Sequence, residues 1–110
     1  MINDTIGEIE ARIHGTESVG ATQKRELLAL LATLRTEVAA LSQTHREAAD
    51  SIAGFARLSA QEATRTQPDP RLRELSLQGL NSSTEGFKQS HPQLVQIVNN
   101  ITKTLSDLGI

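Results

Sequence analysis

The chain has 110 residues, 37% of them hydrophobic and 22% charged, with a formal charge of −2 and no cysteine. That length fits one domain, and that balance is ordinary for a folded globular one. The missing cysteine excludes disulfides and thiolate metal sites, while slight acidity without Tyr or Trp offers neither a phosphate-neutralising surface nor a base-stacking platform, so no nucleic-acid partner is expected.

Phe55 and Phe87 are the only aromatic residues, so the core must be built from Leu, Ile, Val and Ala. Such a core suits helix packed on helix, and the expected class is all-α. In chain order, Ile2, Ile6, Ile9 and Ile13 mark one face of a first helix over about 3–14, with Asn3 or Asp4 as N-cap and Gly15 as its stop. A helix this short is marginal alone, so its isoleucine face must dock on the helix that follows.

After the polar connection 15–20, Thr22 is placed to cap a second helix. Leu27, Leu31, Leu34, Val38, Leu41, His45, Ala48, Ile52 and Phe55 then follow at alternating spacings of four and three, a heptad seam of coiled-coil type. No Pro and one Gly interrupt 23–66, so the phase predicts one helix over about 22–66, roughly 60 Å long. Its weakest point is Ser42-Gln43-Thr44, where Thr44 and Glu47 can form a capping box. Pro68-Asp69-Pro70 ends this helix, and Asp69 as N-cap with Pro70 at the first helical position begins the next.

A second seam runs through Leu77, Leu80, Thr84, Phe87, His91, Leu94, Val98, Ile101, Leu105 and Leu108, giving helices over about 70–90 and 92–108 with a kink or break before Pro92. Antiparallel neighbours hold a nearly constant residue sum, and here Leu34 with Leu105 and Val38 with Ile101 both give 139. The expected architecture is a single domain over 1–110: a long antiparallel helical hairpin with a short N-terminal helix, bundle-like and completed by oligomerisation. At its far end Ala49, Ala53, Ala56 and Ala60 face Gly79, Ser83 and Gly86, small residues that let helices approach closely. With no third layer there, Phe55, Leu58 and Leu80 should stay partly wet, and these seven small residues are the expected self-association surface, for a homodimer or for a partner helix.

The segment Phe87-Lys-Gln-Ser-His91-Pro92-Gln-Leu94 and the terminal Leu105-Ser-Asp-Leu108-Gly109-Ile110 resemble a family of short bacterial helical proteins described as a domain of unknown function. Lys88 stands where that pattern usually carries Glu. The resemblance is clearest over about 72–110 and looser over 1–41, with the region between similar to a longer variant. It implies a small soluble helical protein and brings no activity with it.

Candidate chemistry is sparse. His45 and His91 lie on the seams and near each other under the sum rule, but bundle metal sites use Glu-x-x-His pairs, and Ser42 and Lys88 stand three residues before them. Structural roles are expected instead: His45 as a buried polar residue that fixes register, His91 as a cap. No strand-to-helix nucleophile elbow and no phosphate-cradling Gly-rich loop is present, so no enzyme, metal or cofactor is expected. No apolar run approaches the ~20 residues of a membrane span, and the N-terminal Met-Ile-Asn-Asp lacks a basic start, which points to the cytoplasm. The remaining class is a structural or interaction module acting as a homo-oligomer. Its alternative is a membrane-surface or small-ligand-binding protein using the last amphipathic helix, whose polar face offers only Lys103 as a cation.

Overall fold

A computed structural model describes residues 2–17 and 19–108. Gly109-Ile110 and the side chains of Ile2 and Asn3, to which a motif, a core position and a cap were assigned, lie outside the described residues. The helices are α1 (Ile2–Gly15), α2 (Ala21–Ser42), α3 (Arg46–Ala63), α4 (Pro70–Thr84) and α5 (Pro92–Leu108), with a 3-10 turn over Glu85–Phe87. There is no strand among the described residues, as the composition requires.

The helix expected over 22–66 is two helices. Ser42 Oγ donates to Ala39 O at 2.7 Å, and Thr44 Oγ1 lies 3.4 Å from Leu41 O and 2.8 Å from His45 Nδ1. Successive polar side chains thus compete with the backbone for its own carbonyls. His45, at φ −136° and ψ 67°, turns the chain and becomes the N-cap of α3 without a side-chain cap bond, so the Thr44–Glu47 box does not form. The longest principal extent is 37 Å, too short for a rod of roughly 60 Å.

What replaces the long hairpin is a ring of four helices with a fifth laid on it. α2 packs on α3 and α5, and α4 packs on α3 and α5, while α1 lies against α2 and α3. Polar contacts give the directions. Lys24 Nζ donates to His14 O at 3.1 Å and Arg35 pairs with Glu10, so α1 runs antiparallel to α2. Arg57 lies 3.5 Å from Glu8, and Arg12 Nε donates to Thr64 Oγ1 at 2.6 Å, so α1 runs parallel to α3. α2 and α3 are therefore antiparallel, as a three-residue connection between packed helices demands.

Ile6, Ile9 and Ile13 are buried, and they close the core against α2 and α3 together, not against α2 alone. Leu27, Leu31, Leu34, Val38 and Leu41 from α2 meet Leu94, Val98, Ile101 and Leu105 from α5, all of them buried. Gly20, not Thr22, stands at the N-cap of α2, and Asp4 falls inside the first turn of α1. Asp69 caps α4 as expected, accepting from the backbone N–H of Arg71 at 3.1 Å and of Leu72 at 3.3 Å. The far end of α4 stops at Thr84, short of the expected 90. Ser83 and Thr84 there turn their hydroxyls onto the carbonyls of Leu80 and Asn81, and α5 begins only at Pro92.

Candidate interaction face on α3 and α4

α3 and α4 are joined by a short segment, residues 64–69, and pack side by side. They come close at Gly79, where an added Cβ would lie 2.5 Å from Cε1 and 2.6 Å from Cδ1 of Phe55. Gly79 thus leaves room for the Phe55 ring against α4. This contact fixes the register: antiparallel neighbours keep a constant sum, so Leu58 comes level with Leu75 and Ser76, and Glu62 with Leu72.

One consequence is an apolar patch across the outer side of the α3–α4 seam. Phe55 is 37% exposed, Leu58 41%, Leu72 43% and Leu75 53%, and these four are the exposed large hydrophobic residues among those described. The wetness expected of Phe55 and Leu58 is present. Leu80 is instead fully buried, because α5 and α3 both close over α4. Leu72 and Leu75 were not singled out by the sequence reading. Their signal was available: two leucines that fall outside the stripe of Leu77 and Leu80.

The seven small residues expected at the association surface divide. Ala49, Ala53, Ala56 and Ala60 are at most 2% exposed within one chain, because α1, α2 and α4 surround α3 and fill the layer that a second copy was expected to supply. Gly79 lies under Phe55, Ser83 is half-buried and Gly86 is exposed. Only these last three belong to the outer part of the fold.

Polar side chains frame the face. Glu62 is 5% exposed and pairs with Arg65 at 2.9 Å, which satisfies a carboxylate otherwise left among apolar neighbours. At the opposite end of the bundle the Phe87 ring stands edge-on to both His45, at a centroid distance of 5.3 Å, and His91, at 5.9 Å. The two histidines do converge, but on a phenyl ring that occupies the space between them. His45 is exposed, not buried as expected, and no cluster of three metal-ligating side chains exists among the described residues. No described helix is long and apolar enough to cross a membrane.

Against this geometry the chain can be set beside known proteins. A family described as "Domain of unknown function (DUF4404)" matches residues 2–110. The chain belongs to this family. Membership of DUF4404 extends over the region of α2 and α3 as well as the tail that carries the resemblance, so the four-helix ring with its N-terminal helix lies wholly within the family's span. No curated protein and no solved structure matches the chain.

Proposed function

We propose that this DUF4404 chain is a non-catalytic interaction module that works as a homo-oligomer through the outer face of α3 and α4. The observation that carries the reading is the concentration of Phe55, Leu58, Leu72 and Leu75, the exposed large apolar side chains of the described fold, on one seam. They leave on the order of 350 Å² of apolar surface in one place, within the range of the largest patch on a typical single chain, which is often a functional surface.

The same face supports a second copy as the occupant. Its lower half carries Leu58, Leu72 and Leu75, and its upper half carries Ser51, Gly79, Ser82 and Ser83, so it is bulky at one end and shallow at the other. A two-fold axis across the helices sets the leucines of each copy into the shallow half of the other and brings Glu47 toward the partner copy's end near Arg65. Closed two-fold pairs are the commonest way to bury such a self-complementary face. Gly79, Ser83 and Gly86 keep their place in this interface and the buried alanines drop out of it. The face of two helices measures about 27 Å by about 20 Å. That outline, about 540 Å², lies just below the roughly 600 Å² per partner at which stable interfaces begin, the size of a weak, concentration-dependent pair. A cytoplasmic location belongs to the same proposal.

The alternative use of the last helix as a surface-binding element has less to work with, since Leu94, Val98, Ile101 and Leu105 are already buried in the chain's own core. The test is the solution mass of Leu72→Glu and Leu58→Glu, with Thr33→Glu on the exposed side of α2 as control. The two face variants should be monomers of 11.9 kDa with unchanged helicity. The control should associate like the unmodified chain. Association that survives both face variants would refute the proposal.

A further inference from the structure

We infer that the chain exchanges its α3–α5 segment with a second copy, the turn at residues 43–45 opening so that α2 and α3 run on as one helix. This goes beyond the face contact and leaves that face exposed on each exchanged unit. The first observation is phase. Four buried side chains of α2, Leu31, Leu34, Val38 and Leu41, form one set and four of α3, Ala49, Ile52, Ala56 and Ser59, form a second; Leu27 of α2 and Ala53, Ala60 and Glu62 of α3 are buried beside them. Each member of the second set lies 18 residues after its counterpart (49 − 31 = 18), which is five whole turns of 3.6 residues. Straightening the chain therefore leaves both stripes on the same side of one continuous helix.

The second observation is the turn itself. Residues 43–45 contain neither Gly nor Pro, and no described residue has a positive φ. Gln43 is already helical at φ −65° and ψ −30°, and His45 is the residue that departs from the helix. His45 also caps α3 without a side-chain hydrogen bond, so opening the turn forfeits no such bond there. A three-residue connection with nothing that forbids helix is the kind of hinge at which identical segments exchange between copies.

The third observation is that the exchange needs no new interface. α3, α4 and α5 form one unit, joined to the rest through the packing of α1 and α2 on α3 and of α2 on α5. A partner copy of the same α1–α2 unit supplies those contacts residue for residue. What changes is the connection, from a turn to a helix of 43 residues (21 to 63) about 64 Å long.

Two variants move the equilibrium in opposite directions. Replacing Gln43, Thr44 and His45 together by Ala raises helix propensity across the hinge and should favour opening about tenfold per chain. Arg46→Pro places proline at the first position of α3, where it is accommodated, and drives His45 out of the helical region, so the continuous helix cannot form. Both are made in the Leu72→Glu background, which removes the face contact and separates the two modes of association. Each is unfolded in urea, refolded at high concentration, diluted and followed by light scattering. The triple-Ala variant should yield a dimer that persists for hours after dilution, and Arg46→Pro should yield none. Spin labels on Thr22→Cys and Gln61→Cys, in a chain mixed with excess unlabelled chain, should read about 58 Å in that dimer. In the monomer, where α2 and α3 pack antiparallel and both sites stand at the same end of the fold, the distance should be far shorter. Absence of a persistent dimer from the triple-Ala variant, an equal amount from Arg46→Pro, or a short label distance in the dimer each overturns the exchange. None of these outcomes bears on the face contact, which stands or falls with Leu72→Glu in the otherwise unmodified chain.

Discussion

Gly79→Ala and Gly54→Ala form a matched pair that isolates the Phe55–Gly79 contact. Both glycines lie inside helices, so both substitutions gain the helix propensity that Ala holds over Gly, roughly 0.5–1 kcal/mol. An added Cβ at Gly54 meets nothing within 4 Å, and this variant should be stabilised by about that amount. At Gly79 the Cβ would stand 2.5 Å from the Phe55 ring, so the ring must swing off α4. Moving a ring that is 37% exposed costs less than overpacking a closed core, about 1 kcal/mol, which is enough to cancel the gain. Urea unfolding followed by helical circular dichroism should therefore place the midpoint of Gly79→Ala at or below that of the unmodified chain, with an unchanged slope. In a Phe55→Ala background the obstacle is gone, and Gly79→Ala should stabilise as Gly54→Ala does. If Gly79→Ala stabilises fully while Phe55 is present, the ring does not lie on α4 and the register of the face is wrong.

Leu34→Ala removes a fully buried side chain from the contact of α2 with α5, and should cost about 2–5 kcal/mol in the same assay. A cost below about 1 kcal/mol, the range of surface changes, would contradict that placement. Ala56→Glu puts a carboxylate at a position 2% exposed inside one chain and should abolish helicity, not merely dissociate copies. A folded monomer from Ala56→Glu would show that the alanine stripe lies between chains after all. Ser59 Oγ is buried and has no hydrogen-bond partner, so Ser59→Ala should be neutral or stabilising by up to about 1 kcal/mol in thermal unfolding. A marked loss would reveal a bond that the hydroxyl makes.

Much of the fold was legible because periodicity reports which side of a helix faces the core. The isoleucine face of α1, the leucine stripe of α2 and the stripe of α5 all came from that signal, while the start at Asp69-Pro70 came from cap and proline chemistry. Periodicity does not report whether the chain keeps its direction. The stripes of α2 and α3 are separated by a whole number of turns, so a chain that doubles back at His45 and one that runs straight through it carry the same pattern. The turn is made by hydroxyls and an imidazole, residues that also occur in helices, with no Gly or Pro to announce it. That ambiguity also misplaced Ala49 to Ala60. On a straight rod they need a partner from outside, whereas in the doubled-back chain α1 and α2 are the partner. The exposed leucines of α4 were legible in principle but were eclipsed by the stronger seam that begins at Leu77.

Small-angle X-ray scattering over a dilution series tests the central claim most directly, because one data set reports both the shape of the chain and the mass of the assembly. At the lowest concentrations the account predicts an 11.9 kDa particle with a radius of gyration near 12.9 Å, slightly raised by hydration. As concentration rises, forward scattering per unit mass should climb toward twice that value, and Leu72→Glu should hold it flat. Forward scattering that stays at one chain throughout, or that doubles equally in Leu72→Glu, would contradict the α3–α4 face as the surface on which this protein acts.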